Sequence, residues 1–404
     1  MNIGSASGQS LLCSKITAPA MSSTLDKSPS TLREETFRSQ LLAWYDARAR
    51  DLPWRQPPRA TKPGDPYPVW LSEIMLQQTR VAAVIAHYRA FLRRFPTVEK
   101  LAGAHEASVL AAWSGLGYYR RARMLHAAAK VVVRERGGKF PASAEELKKL
   151  PGVGRYTAAA IASIAFGEAV AVVDGNVERV LQRVSGTRLA GEEFWLASER
   201  LLDRERPGDF NQAMMELGAI VCTPRAPACL TCPVVELCAT RGDFWSGAKA
   251  APQKKREIHY ALDFQDDAVF LVQRPRDARL MAGMWELPEI PAGAKAQFNG
   301  TGKVAALKAL RHPKAGRNSG KRAATPNRGN VMEPSGGEHS EAAFTLKHSI
   351  TVTDYTVRVW RISAPLRARG KWIPVGTLVG VALTGLARKI LRKAEIIADR
   401  DPQV

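Results

Sequence analysis

The sequence predicts two folded domains, an all-α domain followed by an α+β domain. From Thr31 to Cys238, apolar residues recur with the period of about 3.6 residues that marks a helix, without strand-like alternation. Beyond a stretch rich in Gly, Ala, Ser, Lys and Arg, the segments 268–273 and 351–362 are enriched in Val, Tyr, Trp and Thr, as strands are. Among the residues that keep this helical period are Leu71, Ile74, Met75 and Gln78.

Composition sets the domain boundaries. At 404 residues the chain is too long for one ordinary domain. Residues 1–30 are rich in Ser, Thr and Ala and lack the apolar core of a signal peptide, so we expect a disordered tail. The helical domain then covers 31–240, a flexible basic linker 241–257, and the second domain 258–398. Residues 311–342, dominated by Pro, Gly, Asn, Lys and Arg, predict a disordered insertion in the second domain.

The chain is strongly basic. A formal net charge of +21 exceeds what solubility requires and favours a polyanionic partner. Nucleic acid is the first candidate and an anionic membrane the second. The longest uncharged apolar stretch, Trp372 to Ala387, contains a proline and three glycines and is too short to span a bilayer. We therefore expect a soluble protein.

Four of the five cysteines are clustered in the pattern C-x6-C-x2-C-x5-C. Thiolates so close in sequence predict one metal centre and a reducing compartment, such as the cytoplasm, or the nucleoid if the chain is bacterial. Zinc sites with four cysteines usually contain two C-x2-C pairs, whereas this pattern has one, so an iron–sulfur cluster is favoured over zinc. Because four cysteines leave no open coordination position, we expect a structural centre. Its ligands are Cys222, Cys229, Cys232 and Cys238.

A glycine-containing turn, Leu150-Pro-Gly-Val-Gly154, lies between two predicted helices. Gly152 and Gly154 would let the backbone turn sharply, and the N-terminus of the next helix could then bind a phosphate. Such a turn is more often only a connection, so its interpretation depends on the surrounding motifs.

The segment Val172-Val-Asp-Gly-Asn-Val177 interrupts an apolar stretch with Asp174 and Asn176. An Asp before Gly is often a helix cap, which is the alternative to a catalytic carboxylate. The order of helix, LPGVG turn, helix, VDGNV segment and cysteine loop resembles the helix-hairpin-helix DNA glycosylase superfamily, endonuclease III branch. The resemblance covers about Leu41 to Cys238 and implies an all-α DNA-binding domain with a [4Fe-4S] cluster.

Two further features indicate which branch the chain resembles. Lyase members carry a lysine two residues after the second hairpin glycine, where this chain has Tyr156, so the resemblance implies a monofunctional glycosylase. Upstream, the sequences LPWR at 52–55, WLSEIMLQQT at 70–79 and WSGLGYY at 113–119 are similar to the adenine glycosylase branch, the MutY type. That branch removes adenine paired with 8-oxoguanine or guanine in duplex DNA, and we expect a monomer.

The chemistry implied by the resemblance requires two carboxyl groups. Adenine leaves the sugar poorly unless it is protonated, so an acid must serve the base while a carboxylate faces the developing positive charge on the sugar. Glu73 is expected to be the acid and Asp174 its partner. Because Glu73 lies on an otherwise apolar helix, burial should raise its pKa. Asn176 and Tyr156 are expected to orient water and the carboxylates.

Other positions are assigned by the same resemblance. Gln77, one turn after Glu73, is expected on the same helical face, although an isolated Gln is more often a surface residue. Gln78 and Tyr118 are candidates to fill the gap that a flipped base leaves, with core packing as the alternative for Tyr118. The residues expected to line the pocket or face adenine are Arg50, Leu52, Trp54, Arg55 and Gln212.

Residues 268–288 resemble the start of the Nudix-like domain with which MutY proteins inspect 8-oxoguanine. Hydrolytic Nudix enzymes hold magnesium with a dense run of Glu, but none follows Glu289, so this domain should bind and not hydrolyse. The family's Phe-Ser-His loop corresponds here to Leu346-Lys-His348. His348 is therefore the expected lesion contact, with Lys347 where the family has Ser.

Two alternative functions fit parts of the sequence. A thymine or uracil mismatch glycosylase could have the same fold, but Glu73 and the second domain argue against it. A non-catalytic iron–sulfur DNA-binding protein would explain the charge and the cysteines, but it leaves Glu73 and Asp174 without a role. The sequence therefore predicts a hydrolase that acts on adenine in duplex DNA.

Overall fold

The computed structural model describes residues 29–58, 64–242, 253–278, 280–290, 342–350, 353–364 and 368–398. Most of the predicted tail, the middle of the predicted linker and nearly all of the predicted insertion 311–342 lie outside the described residues.

The first domain is helical throughout its described residues, as predicted. Its helices are α1 Pro29–Arg48, α2 Pro66–Leu76, α3 Val81–Arg94, α4 Val98–Ala102, α5 Glu106–Ala112, α6 Arg120–Arg136, α7 Ala144–Leu147, α8 Arg155–Phe166, α9 Gly175–Ser185, α10 Glu192–Leu201 and α11 Pro207–Glu216. A π-helical turn, Leu217–Val221, continues α11 into the cysteine loop.

Two apolar cores support this domain. One surrounds α2, which packs against α3, α6 and α8 and contains Trp70 and Met75 among its fully buried residues. The other lies between α1, α9 and α11, around Tyr45 and Phe210. Helix α11 also packs against α8. Side chains of α2, α8, α9 and α11 can therefore meet at the junction between the two cores.

Helix α2 ends earlier than its sequence period indicates. Asp65 caps its N-terminus by accepting from the Tyr67 N–H, and Pro66 occupies the first turn. The helix stops at Leu76, Gln77 has non-helical backbone with a ψ of 113°, and Gln78 has a φ of 55°. The expectation that Gln77 continues the helical face of Glu73 and that Gln78 keeps the helical period is wrong. Side-chain hydrogen bonds from α6 reach the last carbonyl groups of α2, which the next helical turn would otherwise have bonded.

The second domain is α+β, as predicted, and contains two sheets, the first mixed and the second antiparallel. Their orders are β5-β1-β7-β6, in which β1 and β7 are parallel, and β2-β3-β4 with β8 also paired to β3. The elements are β1 Lys254–Ala261, β2 Phe264–Gln265, β3 Ala268–Gln273, β4 Trp285–Glu286, β5 Glu289–Ile290, β6 Phe344–Ile350, β7 Thr353–Trp360, β8 Gly370–Pro374 and α12 Gly385–Lys393.

Two boundaries differ from the sequence prediction. Helix α1 begins at Pro29, just inside the predicted tail. Strand β1 begins at Lys254, inside the predicted linker, because its exposed and charged first residues pair with β7 from Thr353 onward. Charge and exposure made this part of the strand look like linker.

The apolar stretch 372–387 divides among the end of β8, a short 3₁₀ segment and the start of α12. None of the helices in the described ranges is both long and apolar enough to cross a membrane.

The two domains share packing. Met284 and Ala382 of the second domain are buried in the core that surrounds α2. Nearby, the buried hydroxyls of Ser114 and Tyr119 both donate to the carbonyl oxygen of Leu383, each at 3.2 Å. Arg388 of α12 donates to Ser114 Oγ at 3.0 Å. Buried polar contacts thus fix the position of the second domain against α5 and α6.

Candidate active site

Glu73 is a carboxyl group inside an apolar helix. Its side chain is buried, with 6% of the residue exposed, because α2 is surrounded by other helices. Burial, with a smaller contribution from the nearby Asp174 charge, raises the pKa of Glu73 to about 7, although a hydrogen bond from Tyr156 and the charge of Arg55 both lower it. Near neutral pH a substantial fraction of Glu73 is therefore protonated and able to donate a proton.

Tyr156 lies in the first turn of α8 and contacts Glu73 directly. Its hydroxyl donates to Glu73 Oε2 at 2.7 Å, with Met215 Sδ 3.3 Å away. Burial, together with the Glu73 carboxyl group, raises the pKa of Tyr156 well above 10, so the phenol keeps its proton. The tyrosine fixes one oxygen of Glu73 and leaves the other for a substrate.

Asp174 caps the N-terminus of α9. Its Oδ1 accepts from the backbone N–H groups of Asn176 and Val177, at 2.9 and 2.8 Å, and its Oδ2 accepts from Asn176 Nδ2 at 3.0 Å. The helix-cap interpretation is therefore correct for its structural role. It does not compete with a catalytic role, since the cap holds the carboxylate in one orientation beside Glu73.

Asn176 is connected to the start of the cysteine loop through hydrogen bonds of Arg179. Arg179 donates to Asn176 Oδ1 at 2.8 Å, to the Gly218 carbonyl at 2.6 Å and to the Cys222 carbonyl at 2.8 Å. Gly218 lies in the π-helical turn, and a Cβ there would come within 2.7 Å of Asn176 Cβ. Only glycine lets the π-helical turn approach α9 this closely, so the turn sets the position of the Asp174 and Asn176 pair.

Sequence reasoning missed Glu216, which joins two of the predicted pocket residues. Arg50 Nε donates to Glu216 Oε1 at 2.6 Å, and Arg55 Nη2 donates to Oε2 at 3.0 Å. Burial alone would raise the pKa of Glu216, but the hydrogen bonds from Arg50 and Arg55 outweigh it and lower the pKa. The available signal was spacing, because Glu216 lies four residues after Gln212 on α11 and hence on the same face.

The remaining predicted pocket residues lie in two different environments, one polar and one apolar. Gln212 Oε1 accepts from Arg55 Nε at 3.2 Å, which joins it to the Glu216 cluster. Leu52 is buried, and the Trp54 ring packs edge-on against Tyr88 with centroids 5.3 Å apart. Trp54 and Gln212 also line one cavity with Phe166. Packing is therefore the role that the structure shows for Leu52 and Trp54.

Gln77 also contacts α8, since its Nε2 donates to Thr157 Oγ1 at 3.3 Å. Gln78 and Tyr118 both have left-handed backbone, with φ of 55° and 45°, and both are exposed. Such backbone costs about 1–3 kcal/mol in a non-glycine residue and is found mainly at functional sites. Tyr118 is 49% exposed, so the core-packing alternative is wrong for it.

The LPGVG turn, the hairpin of the helix-hairpin-helix motif, leads into an N-terminus of α8 that no side chain caps. Gly152 has a φ of 75°, and a Cβ there would come within 2.5 Å of Met124 Cβ, so this position requires glycine. Gly154 has extended backbone with open space around it, and no side chain caps the first turn of α8. The prediction that both glycines make the turn is therefore correct only for Gly152.

A cleft of about 1050 Å³ lies between the two domains. His348 lines it from β6, and burial, followed by the Lys389 charge, lowers the pKa of His348. Lys347 is exposed on the same strand, and its carbonyl accepts from Lys389 at 2.7 Å. The residues from the helical domain that line the same cleft include Gln77, Gln78, Tyr118, Arg121 and Gly152.

The four clustered cysteines are brought together. Cys222, Cys229, Cys232 and Cys238 are half-buried and line one small apolar cavity beside α9. Arg183 donates to Cys222 Sγ at 3.3 Å. Sequence spacing thus predicted a real convergence of sulfur atoms.

Comparison with known proteins places the chain in a family. The model of the HhH-GPD superfamily of base excision DNA repair proteins matches residues 71–193. The chain is 34% identical over 326 residues to the adenine DNA glycosylase of Schizosaccharomyces pombe, covering 65% of this chain and 71% of that protein. The chain belongs to the adenine DNA glycosylase family. Family membership confirms the resemblance that the sequence motifs indicated.

Other members of the adenine DNA glycosylase family are longer. The human adenine DNA glycosylase is 53% identical over 216 residues, which is 51% of this chain and 39% of that protein. The chain thus spans well under half of this human relative. Among solved structures, that of a thermostable thymine-DNA glycosylase is 30% identical and has a TM-score of 0.49, covering 54% of this chain and 100% of that one.

Proposed function

We propose that this protein is a monofunctional DNA glycosylase that hydrolyses the N-glycosidic bond of adenine paired with 8-oxoguanine or guanine. The observation that carries the proposal is the buried Glu73, with a pKa raised to about 7, beside the oriented carboxylate of Asp174. Two carboxyl groups with different environments can supply an acid and an anion at the same pH.

The proposed reaction uses each group for one task. Protonated Glu73 donates its proton to the adenine ring, which makes the base a better leaving group as the glycosidic bond breaks. Asp174, held by Asn176 and the N-terminus of α9, faces the sugar and stabilises its positive charge. Ionised Glu73 can then accept a proton from the attacking water. Tyr156 supplies no amine, so no Schiff base forms with the sugar.

The interdomain cleft supports duplex DNA as the partner of a single chain. Exposed Gln78 and Tyr118 line it from one side and His348 from the other. In this proposal the first two fill the space of the flipped adenine, and the Nudix-like second domain contacts 8-oxoguanine. The uncapped N-terminus of α8 after the hairpin is suited to a phosphate group.

The four cysteines fit a [4Fe-4S] cluster. They line one cavity, yet among the described side chains no three or more His, Cys, Asp or Glu residues are arranged to hold a single metal ion. A [4Fe-4S] cluster takes four cysteine thiolates as ligands, and these four cysteines would hold it. We assign it a structural task, which is to hold the loop that supports Asn176. Equal amounts of iron and acid-labile sulfide in aerobically purified protein would support it, and stoichiometric zinc would contradict it.

One duplex experiment tests the function. Purified protein is incubated with a duplex that contains adenine opposite 8-oxoguanine, and base release is followed by alkali treatment. Release of adenine with strand cleavage only after alkali supports the proposal. Binding without release would favour a non-catalytic protein, and release from a thymine or uracil mismatch alone would favour the other glycosylase class.

A further inference from the structure

We infer that Arg121 is the positioning residue that holds both Gln78 and Tyr118 in their strained conformations. The inference rests on the proposed function, because it assigns Arg121 to the step in which these residues enter the DNA. The motif comparison did not single out Arg121. It lies in the first turn of α6, three residues after Tyr118.

One end of the guanidinium group holds the end of α2. Arg121 Nη1 lies 2.8 Å from the Ile74 carbonyl oxygen, 2.9 Å from that of Met75 and 2.5 Å from that of Gln77. The last carbonyl groups of a helix have no partner within the helix and carry partial negative charge. Arg121 therefore replaces the next turn of α2 and ends the helix just before Gln78.

The other end holds the segment after Gln78 and the glycine turn before Tyr118. Nη2 donates to Thr79 Oγ1 at 3.1 Å, to the Leu116 carbonyl at 3.0 Å and to the Gly117 carbonyl at 3.4 Å. Contacts of one guanidinium thus flank Gln78 on both sides and reach the residue that precedes Tyr118. Two other side-chain hydrogen bonds to the same carbonyl groups, from Trp113 Nε1 to Gly117 and from Thr79 Oγ1 to Gln77, each reach one loop.

The Tyr118 ring also contacts the same group. The Arg121 guanidinium carbon lies 5.5 Å from the centroid of the Tyr118 ring and 5.5 Å from that of Trp113. Burial lowers the pKa of Arg121 to about 10, which leaves it charged at neutral pH. A planar, charged fork that donates in two directions explains why one residue can hold two loops, which the single ammonium group of lysine cannot do.

Arg121→Lys tests the inference on a duplex with adenine opposite 8-oxoguanine. It keeps the charge and loses the fork, so we expect the single-turnover excision rate to fall about tenfold or more, equivalent to about 1.4 kcal/mol. Arg134→Lys, an exposed arginine on the same helix and away from the cleft, should keep the wild-type rate. Unchanged excision by Arg121→Lys would overturn the inference.

A double-mutant cycle separates positioning from general stability. If Arg121 acts through the two loops, Arg121→Lys should cause no further loss in a Gln78→Ala/Tyr118→Ala background. An equal loss in both backgrounds would mean that Arg121 acts elsewhere and would overturn the inference. A wild-type chain that releases no adenine would instead contradict the proposed function.

A milder variant keeps the test possible if Arg121→Lys folds poorly. Thr79→Val removes one acceptor of Arg121 together with the hydrogen bond from Thr79 Oγ1 to the Gln77 carbonyl, and the excision rate should fall by a smaller factor in the same direction. The fluorescence of a 2-aminopurine placed next to the adenine measures how far the bases are unstacked. In Thr79→Val this unstacking should decrease together with the excision rate. Wild-type unstacking and excision in Thr79→Val would count against this role of Arg121.

Discussion

At the scale of single residues, the site depends on one carboxyl group that the fold keeps out of water. Glu73 has the environment of an acid because α2 is apolar and buried, and Tyr156 keeps one of its oxygens occupied. The charge of Asp174 opposes the ionisation of Glu73 and so adds to the rise in the pKa of Glu73.

The first prediction concerns the pH dependence of excision. Because the pKa of Glu73 is about 7, its proton-donating form decreases as pH rises through 7, and the single-turnover rate should fall with it. Glu73→Gln should reduce the rate by about 100-fold or more while keeping DNA binding. A flat pH profile between 6 and 8 in the wild type would contradict the assignment.

Folding gives an independent check on the same group. The raised pKa means that folded Glu73 binds its proton more tightly than in the unfolded chain, so this contribution to stability is complete below pH 4.5 and is lost as pH rises through about 7. Glu73→Gln removes this dependence. Its thermal midpoint should therefore exceed that of the wild type at pH 8 by more than at pH 5.

The second prediction concerns Tyr156. Its hydrogen bond lowers the pKa of Glu73 and fixes one carboxyl oxygen, so Tyr156→Phe should move the basic limb of the pH profile upward and lower the rate on the plateau below that limb. Tyr67→Phe is the matched control, because Tyr67 is also buried but donates to the Phe95 carbonyl. A downward shift for Tyr156→Phe, or the same upward shift for Tyr67→Phe, would refute this role.

At the scale of elements, the site is assembled where secondary structure departs from regularity. Helix α2 ends early, α9 begins at the proposed catalytic carboxylate of Asp174, and α11 continues as a π-helical turn. Such π-helical turns occur frequently at functional sites. Here the turn brings Gly218 against Asn176 and leads directly to Cys222.

The third prediction tests this contact. Gly218→Ala places a methyl group against Asn176, so the start of α9 must move and the orientation of Asp174 must change. We expect an excision rate at least about tenfold lower, equivalent to about 1.4 kcal/mol, with the visible spectrum of the proposed iron–sulfur cluster retained. Gly103→Ala, which would make only an ordinary contact with the Glu99 carbonyl, should behave like the wild type. Full activity of Gly218→Ala would show that the turn does not position Asp174.

At the scale of the whole molecule, two domains share one cleft and part of one core. Met284 and Ala382 contribute to the core of the helical domain, so the second domain stabilises the first. Ser114 and Tyr119 connect the helical domain to the Leu383 carbonyl next to α12, the helix whose Lys389 also contacts β6. Lesion contact and excision are thus mechanically linked in this proposal.

The fourth prediction tests that link. The Ser114→Ala/Tyr119→Phe double variant removes both donors to Leu383 and loosens the interface. Preference for 8-oxoguanine over guanine opposite adenine should fall severalfold, while single-turnover excision opposite 8-oxoguanine changes less. Tyr260→Phe, a buried tyrosine within the second domain, is the control. Unchanged preference in the double variant would argue that these contacts do not transmit lesion recognition.

The sequence by itself determined the features that are local along the chain. Helical period, strand composition, the LPGVG turn and the cysteine spacing all depend on neighbouring residues, so they predicted both domains, family membership and the convergence of the four cysteines. Sequence motifs also singled out Glu73 as the expected acid and showed that position 156 is a tyrosine where lyase members have a lysine. Motifs require no information on distances.

Only the tertiary structure decided how these residues act on one another. The raised pKa of Glu73, the cluster of Arg50 and Arg55 on Glu216, and the reach of Arg121 to both loops join segments far apart in the chain. Charge, burial and backbone strain depend on what packs against a residue in space. A helical period could therefore place Gln77 and Gln78 after Glu73, but only the contacts of α6 showed that the helix ends before them.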